Sequence, residues 1–550
     1  MAYLKSETPA DTAEVLRQAE AQVDECWRAL QIRHFPANLA LWATLTGGIR
    51  VVEREQAAHG SNTPHFDAML GNLGRLLATA VKWALRHGQL AADLNRHWTG
   101  ELSAAVDQAL ALAKDYSHFE VCFQGFHKGR YAADVLSPSL IRFSVPGTQR
   151  DRQVSAYQKG LRPREGRFAG QRAAQQPQEP GVIEAFGQVL RTCRRSGPLG
   201  FEYGDPSDLW RELMPEYRDR VTALARRADT LSLGDYTLAE YNAFYVALIV
   251  ICAAHDHLCF LWARTHGIYP IESAVIVRST AAWADVLSGL SGLAPETCRA
   301  MIADLSFSSR RSVDLHVYPF VPLGGANDML ALAPPFPLHS RHDENVLRVC
   351  SQRRPLVYDV TSLEKQSEML ATARAVGSCY GANGPVQLPN PVPDIDLLAA
   401  DESSATVVIA ELKWIRKPVR PAEIPDRDAE ILKGIGQLDS ISAFLAENLD
   451  YLRSRGLLER RLDQYEHVHY LLVARDHWRW IEPRDRVAIV EFEPFARTLE
   501  RVASLRKAVG ELLTYDWLPA EGRDFRIQND RAEANGGTIE SPVFYSTAPR

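Results

Sequence analysis

Val392-Pro393-Asp394-Ile395-Asp396-Leu397-Leu398, followed by Val407-Val408-Ile409-Ala410-Glu411-Leu412-Lys413-Trp414, decides how this chain is read. Both pieces are aliphatic and β-branched, so they read as short strands, with Asp401-Glu402-Ser403-Ser404 as the turn between them. Alternation along the second strand sets Glu411 and Lys413 on one face and Ala410, Leu412 and Trp414 on the other. Along the first, Asp394 and Asp396 share a face opposite Ile395 and Leu397. Pairing the two strands gathers Asp396, Glu411 and Lys413 on one side of a hairpin. Two carboxylates and an ammonium on a surface otherwise built for burial are costly unless a metal or substrate uses them.

That grouping suits one chemistry. Adjacent carboxylates bind a hard divalent cation, Mg²⁺ or Mn²⁺, through oxygen, with water completing the shell. Such a cation lowers the pKa of bound water and offsets charge on a phosphate. The neighbouring lysine can steer the attacking water or stabilise the transition state electrostatically. The chain has 10 Lys against 52 Arg, so a lysine here departs from its usual cation. A compact ammonium that can change protonation fits the role better than a guanidinium.

At these residues the chain resembles the PD-(D/E)xK nuclease superfamily. Pro393-Asp394-Ile395-Asp396 is similar to its first acidic motif and Glu411-Leu412-Lys413 to its ExK motif. The resemblance implies an αβββαβ restriction-endonuclease-like core between Val360 and Ala474. Ser362 is read as the cap of a first helix carrying Glu364 and Glu368, Val386-Gln387-Leu388 as the first strand, and the two acidic strands follow. Asp428–Glu447 reads as an amphipathic helix with Ile431, Ile435, Leu438, Ile441 and Leu445 on one face. His467–Val473 is the closing strand. The resemblance further implies Asp396, Glu411 and the Leu412 carbonyl as metal ligands and Lys413 as catalytic. It adds Glu364, ahead of Glu368, as the helical acid, and puts Asp394 behind the ligand. Gln437, with Lys433 four residues before it, is expected to reach the scissile phosphate. Gly434 and Gly436 weaken this helix by roughly 1 kcal/mol each relative to Ala, which suggests a close backbone approach.

The rest of the chain frames this core. It has 550 residues and a net charge of −6, enough for several domains but with no global basic field, so any affinity for nucleic acid must be local. The expected organisation is a helical region over 1–140, a basic linker or arm over 141–180 and a second helical region over 181–310. A β-hairpin connector over 311–355, the nuclease-like domain over 356–515 and a largely disordered tail over 516–550 follow. Apolar spacing predicts helices over Thr12–Ile32, His65–Arg86, Ala91–Lys114, Ser207–Arg227, Leu238–Thr265 and Ser279–Leu305. The connector, with its short helix Asp343–Gln352, is expected to pack against the nuclease core. The run Phe244–Ala254 is too short to span a membrane and reads as a core helix. Cys252, His255, His257 and Cys259 lie close in sequence but match no common structural zinc spacing.

From Arg142 to Arg172 eight basic residues, among them Arg150, Arg152, Lys159, Arg162 and Arg164, meet only Asp151 and Glu165. Such a segment is either a solvated linker or an arm that tracks phosphates. Eight Cys without a CxxC, and an N-terminus without signal-peptide character, point to the cytoplasm. The expected function is a Mg²⁺-dependent endonuclease acting on nucleic acid, DNA ahead of RNA. A restriction or phage-defence effector, with a homo-oligomer or a defence-system partner protein, fits that expectation. The alternative is a nucleic-acid-binding or assembly protein with a catalytically silent nuclease-like domain.

Overall fold

The computed structural model describes residues 10–59, 64–87, 90–91, 93–137, 139–145, 147–161, 180–204, 206–224, 231–309, 314–324, 328–340, 342–350, 381–383, 385–414, 424–475, 481 and 486–547. Glu364, Glu368, Arg162 and Arg164 lie outside them.

The N-terminal half is mostly helical. Helices α1 (Ala10–Asp24), α2 (Ala37–His59), α3 (Pro64–His87) and α4 (Gly100–His127) precede strands β1 (Ala132–Ser137) and β2 (Leu140–Ser144) and helix α5 (Gln149–Gln158). Then come α6 (Pro180–Thr192), the two-residue strands β3 (Arg194–Arg195) and β4 (Phe201–Glu202), α7 (Ser207–Leu224) and α8 (Leu238–His266). Strand β5 (Ile276–Ser279), α9 (Thr280–Ser291) and α10 (Pro295–Asp304) complete this half. Side-chain caps start several helices: Thr99, Thr148, Thr237 and Ser279 each accept a backbone N–H of the first turn. Helix α8 is long and apolar enough to cross a membrane, but 72% of its most apolar window is buried. It is the spine of the largest core, with Phe244, Leu248 and Ile251 packed among residues of α2, α3, α9 and α10.

Several expected elements are corrected. Helix α2 was not anticipated: Leu41, Trp42, Leu45 and Ile49 are buried, yet its polar residues cluster late, so no clean apolar stripe marks it. The stretch Ser279–Leu305 is two helices, because Gly292 adopts a left-handed C-cap (φ 76°) and Pro295 starts the next helix. The connector does form a hairpin, β6 (Phe320–Gly324) with β7 (Met329–Leu332), but β7 also pairs with β5. Its Phe320, Val321, Leu330 and Leu332 belong to the core of the helical half rather than to the C-terminal sheet.

The basic segment and the tail are also corrected where described. Strands β13 (Phe525–Ala534) and β14 (Gly537–Ser546) form a hairpin, and β14 pairs with β2, giving the sheet order β1-β2-β14-β13. One row across this sheet reads Asp134, Arg142, Glu540, Arg531, with alternating charge. Within it Arg142 Nε donates to Glu540 at 2.7 Å. The opposite face buries Ile141, Phe143, Ala532 and Ile539 against α1 and α4. The N-terminal region is therefore not all-α, and residues 525–546 are not a tail.

The C-terminal domain is built on β8 (Gly381–Asn383), β9 (Leu397–Asp401), β10 (Thr406–Trp414), β11 (His467–Arg475) and β12 (Val487–Glu491), in the order β12-β11-β10-β9-β8. The strands β8, β9 and β10 form an antiparallel meander, whereas β11 runs parallel to β10 and β12 parallel to β11. The parallel β10–β11 step requires a crossover, supplied by the helix Ile424–Glu447. All five of its predicted apolar-face residues are buried against the sheet. Val407, Ile409, Leu472 and Ile489 face it, while Val408, Ala410, Leu471 and Val490 face the helices Phe492–Arg501 and Leu505–Leu513. Strand β10 is thus buried on both faces, as its nearly unbroken apolar run requires. The expected first strand at Val386–Leu388 is instead an isolated bridge to Ile395, and the strand proper lies at β8.

Candidate active site

Alternation along β10 delivers what the sequence implies. Val407, Ile409, Glu411 and Lys413 point toward the crossover helix, and the last two extend that apolar row as charges. Glu411 is 1% exposed, flanked in register by Leu472 of β11 and, beyond it, Ile489 of β12. A carboxylate there is held by its neighbour: Lys413 Nζ lies 2.8 Å from Glu411 Oε1, with the lysine side chain 11% exposed. The same ammonium donates to Gln437 Oε1 at 2.6 Å. A buried ion pair with an added hydrogen bond is the arrangement in which attraction can offset desolvation.

Asp396 enters from the meander. The β9–β10 ladder runs from Thr406–Asp401 to Ala410–Leu397, so extending its register by one residue sets Asp396 opposite Glu411. Asp396 therefore precedes strand β9 rather than sitting within it. Since β9 stops there, the Leu412 N–H and C=O lie on an edge that no strand covers on that side. Asp396 Oδ2 accepts the Leu412 N–H at 2.9 Å, which pins its carboxylate beside Glu411. Asp396 is 9% exposed. Asp394 turns elsewhere: it is exposed and accepts the Leu388 N–H through Oδ1 at 3.2 Å.

The helical glycines divide in meaning. A Cβ on Gly434 would stand 2.6 Å from Leu472 Cδ1 and 2.8 Å from Lys413 Cε, so this glycine leaves room for the lysine stem. Gly436 faces open space. Lys433 is exposed, and no contact joins it to Lys413 or Gln437 among the described residues.

The structure therefore brings together Asp396, Glu411, Lys413 and Gln437. It also places a residue that the sequence reading missed. Across β10, β11 and β12 the register runs Lys413, Ala474, Glu491, which puts Glu491 on the same face two strands away. Glu491 is 4% exposed, and Gln158 Nε2 donates to its Oε2 at 3.4 Å. Its sequence signal is a short one: Val487-Ala488-Ile489-Val490-Glu491 is an apolar run of four that ends on an acid. Asp428, in the helix opposite, is 9% exposed.

The oxygen set of Asp396, Glu411 and the Leu412 carbonyl matches what a small hard cation takes. Two carboxylates against one ammonium leave a net negative charge on this face, which favours such a cation. Among the described residues no group of three His, Cys, Asp or Glu converges on a metal position.

Of the basic residues expected to grip phosphate, the three described, Arg150, Arg152 and Lys159, make contacts within the chain. Arg152 Nε pairs with Glu521 at 2.9 Å. Arg150 donates to Gln153 and stacks 5.0 Å from the Tyr515 ring centroid. Lys159 holds its ammonium 4.3 Å from the Phe544 ring. In α8, His255 bonds Tyr203 and the Ser273 carbonyl, and His257 packs at a tilt against the Phe186 ring, so both serve the core.

No family model, curated protein or solved structure matches this chain.

Proposed function

We propose that the domain on β8–β12 is a metal-dependent phosphodiester hydrolase of the PD-(D/E)xK type, cutting nucleic acid, with DNA as the first substrate to test. One observation carries this reading: Lys413 bridges Glu411 and Gln437 on a buried face where the register sets Asp396 opposite Glu411. The meander, crossover helix and parallel fourth strand support it by their order.

Asp396, Glu411 and the Leu412 carbonyl would hold the cation. Mg²⁺ or Mn²⁺ bound there would supply Lewis acidity and a water of lowered pKa. Lys413 places a positive charge where negative charge grows on the phosphate. Gln437 fixes the lysine and offers an amide donor to a phosphate oxygen. Leu472 and Ile489 beside Glu411 keep bulk water away, which strengthens each of these interactions.

Plasmid nicking with Mg²⁺ or Mn²⁺, against EDTA and the Glu411→Gln variant, tests the reading. Metal-dependent nicking lost in the variant is the expected result. Nicking that survives Glu411→Gln overturns the assignment. Binding without any cleavage would leave the domain as a silent nucleic-acid grip.

A further inference from the structure

Trp27 gathers three guanidinium groups around its ring. Arg28 lies on the turn Cys26–Ala29, Arg33 on the turn Gln31–His34 and Arg86 in the last turn of α3. Their Cζ atoms stand 5.7, 5.1 and 5.6 Å from the ring centroid. An aromatic face attracts a cation, but three cations on one ring also repel each other. Glu25 is the one acid paired with them among the described residues, and it takes Arg28. Arg33 reaches the Arg28 carbonyl through Nη1, yet its Nε is buried with no hydrogen-bond partner. Arg86 has no carboxylate partner among the described residues, and it is exposed.

A buried donor without an acceptor, beside two further guanidiniums and one acid, is an arrangement that an oxyanion completes. Planar guanidinium forks match the tetrahedral oxygens of phosphate. We propose that Arg28, Arg33 and Arg86 form a phosphate-binding site, and that its ligand is the backbone of nucleic acid. The anion chemistry stands on the geometry; the choice of nucleic acid rests on the nuclease reading. The site lies in the helical half, on elements that carry none of Asp396, Glu411, Lys413 or Gln437. It replaces the segment Arg150–Lys159, whose cations are engaged within the chain, as the local source of positive field.

The test is binding of the full chain to a short fluorescent DNA duplex in EDTA, followed against salt concentration. The double variant Arg33→Gln/Arg86→Gln should lower the slope of log affinity against log salt by roughly 2, at about 0.9 per lost phosphate contact. Inorganic phosphate should compete with the duplex for the wild type and much less for the variant. An unchanged slope and unchanged competition overturn the proposal and leave the arginines as packing on Trp27. Failure of the wild type to bind the duplex overturns it as well. If the double variant melts early, Arg86→Gln alone, at an exposed helix end, should show a slope loss of about 1. Plasmid nicking on the same preparations separates the two readings: salt-dependent binding through these arginines with no nicking sinks the nuclease and keeps the site.

Discussion

Lys413 and Gln437, 24 residues apart, meet with Nζ 2.6 Å from Oε1, and this bond ties the end of β10 to the middle of the crossover helix. The lysine reaches that far because Gly434, one helical turn earlier, carries no Cβ in its path. Position, charge and clearance are therefore supplied by three residues on two elements.

Gly434→Ala and Gly436→Ala should consequently have opposite outcomes. At 436 the added methyl meets open space, and the gain in helix propensity should stabilise the domain by roughly 1 kcal/mol. At 434 it collides with Lys413 and Leu472, and overpacking of about 1–3 kcal/mol outweighs that gain. Cleavage should fall in Gly434→Ala alone. Thermal melts and single-turnover rates check both, and equal behaviour of the two variants would refute the clearance argument.

Lys413 pairs with Glu411 Oε1, so on the proposed function it would compete with a bound cation for that oxygen. Lys413→Met should tighten Mn²⁺ binding on the order of tenfold, because one positive charge leaves a buried carboxylate pair. The same variant should cut more slowly, on the order of 100-fold, since transition-state stabilisation is lost. Calorimetry with Mn²⁺ and single-turnover kinetics read the two effects independently. Weaker metal binding in the variant would contradict the competition.

Asp401 closes the β9–β10 turn by accepting the N–H and Oγ–H of Ser403 and Ser404 and, from the start of the helix Leu505–Leu513, the Leu505 N–H. Burial pushes its pKa up, but these bonds outweigh burial and hold it below the usual carboxylate value. A depressed folded pKa adds stability above the unfolded value of about 3.9, and this is lost as pH falls through the folded pKa. Asp401→Ala should cost about 2–4 kcal/mol at neutral pH. Asp401→Asn should flatten the acid limb of a melting-temperature profile, and an unchanged limb would assign acid lability elsewhere.

In the helical half, Glu53 of α2 faces Asp256 of α8. Burial first, and then the Asp256 charge, raise the Glu53 carboxyl to about 7, while the Tyr269 hydrogen bond opposes the rise. Burial raises Asp256 to about 6. Because the folded pKa is raised, the stabilising contribution is complete below the unfolded value of about 4.3 and is lost as pH rises through 7. The first thermal transition should therefore fall between about pH 5 and pH 8, and Glu53→Gln should reduce that fall. An identical slope in the variant would remove Glu53 from the account.

Local pattern made part of this protein legible. The face shared by Glu411 and Lys413 follows from period-2 alternation along one apolar strand. The buried face of the Ile424–Glu447 helix follows from its period-3.6 spacing, and the close approach at Gly434 from a helix-weakening residue kept in its middle. Glu491 went unread because Val487–Glu491 is too short to stand out alone. Residues 525–546 looked like a tail because their strands are polar on the solvent face, and only packing of the sheet on α1 and α4 buries Ala532 and Ile539.

By itself, the sequence determined which residues of β10 are charged and which face they take. These are properties of bond geometry and periodicity, and they need no neighbour to be true. Tertiary structure alone decided that Asp396 caps the Leu412 N–H, that Glu491 shares a row with Lys413, and that Arg142 belongs to Glu540 rather than to a free arm. Each depends on strand register and on contacts between distant segments. The hydrophobic free energy that selects those contacts comes from the whole core rather than from any one segment.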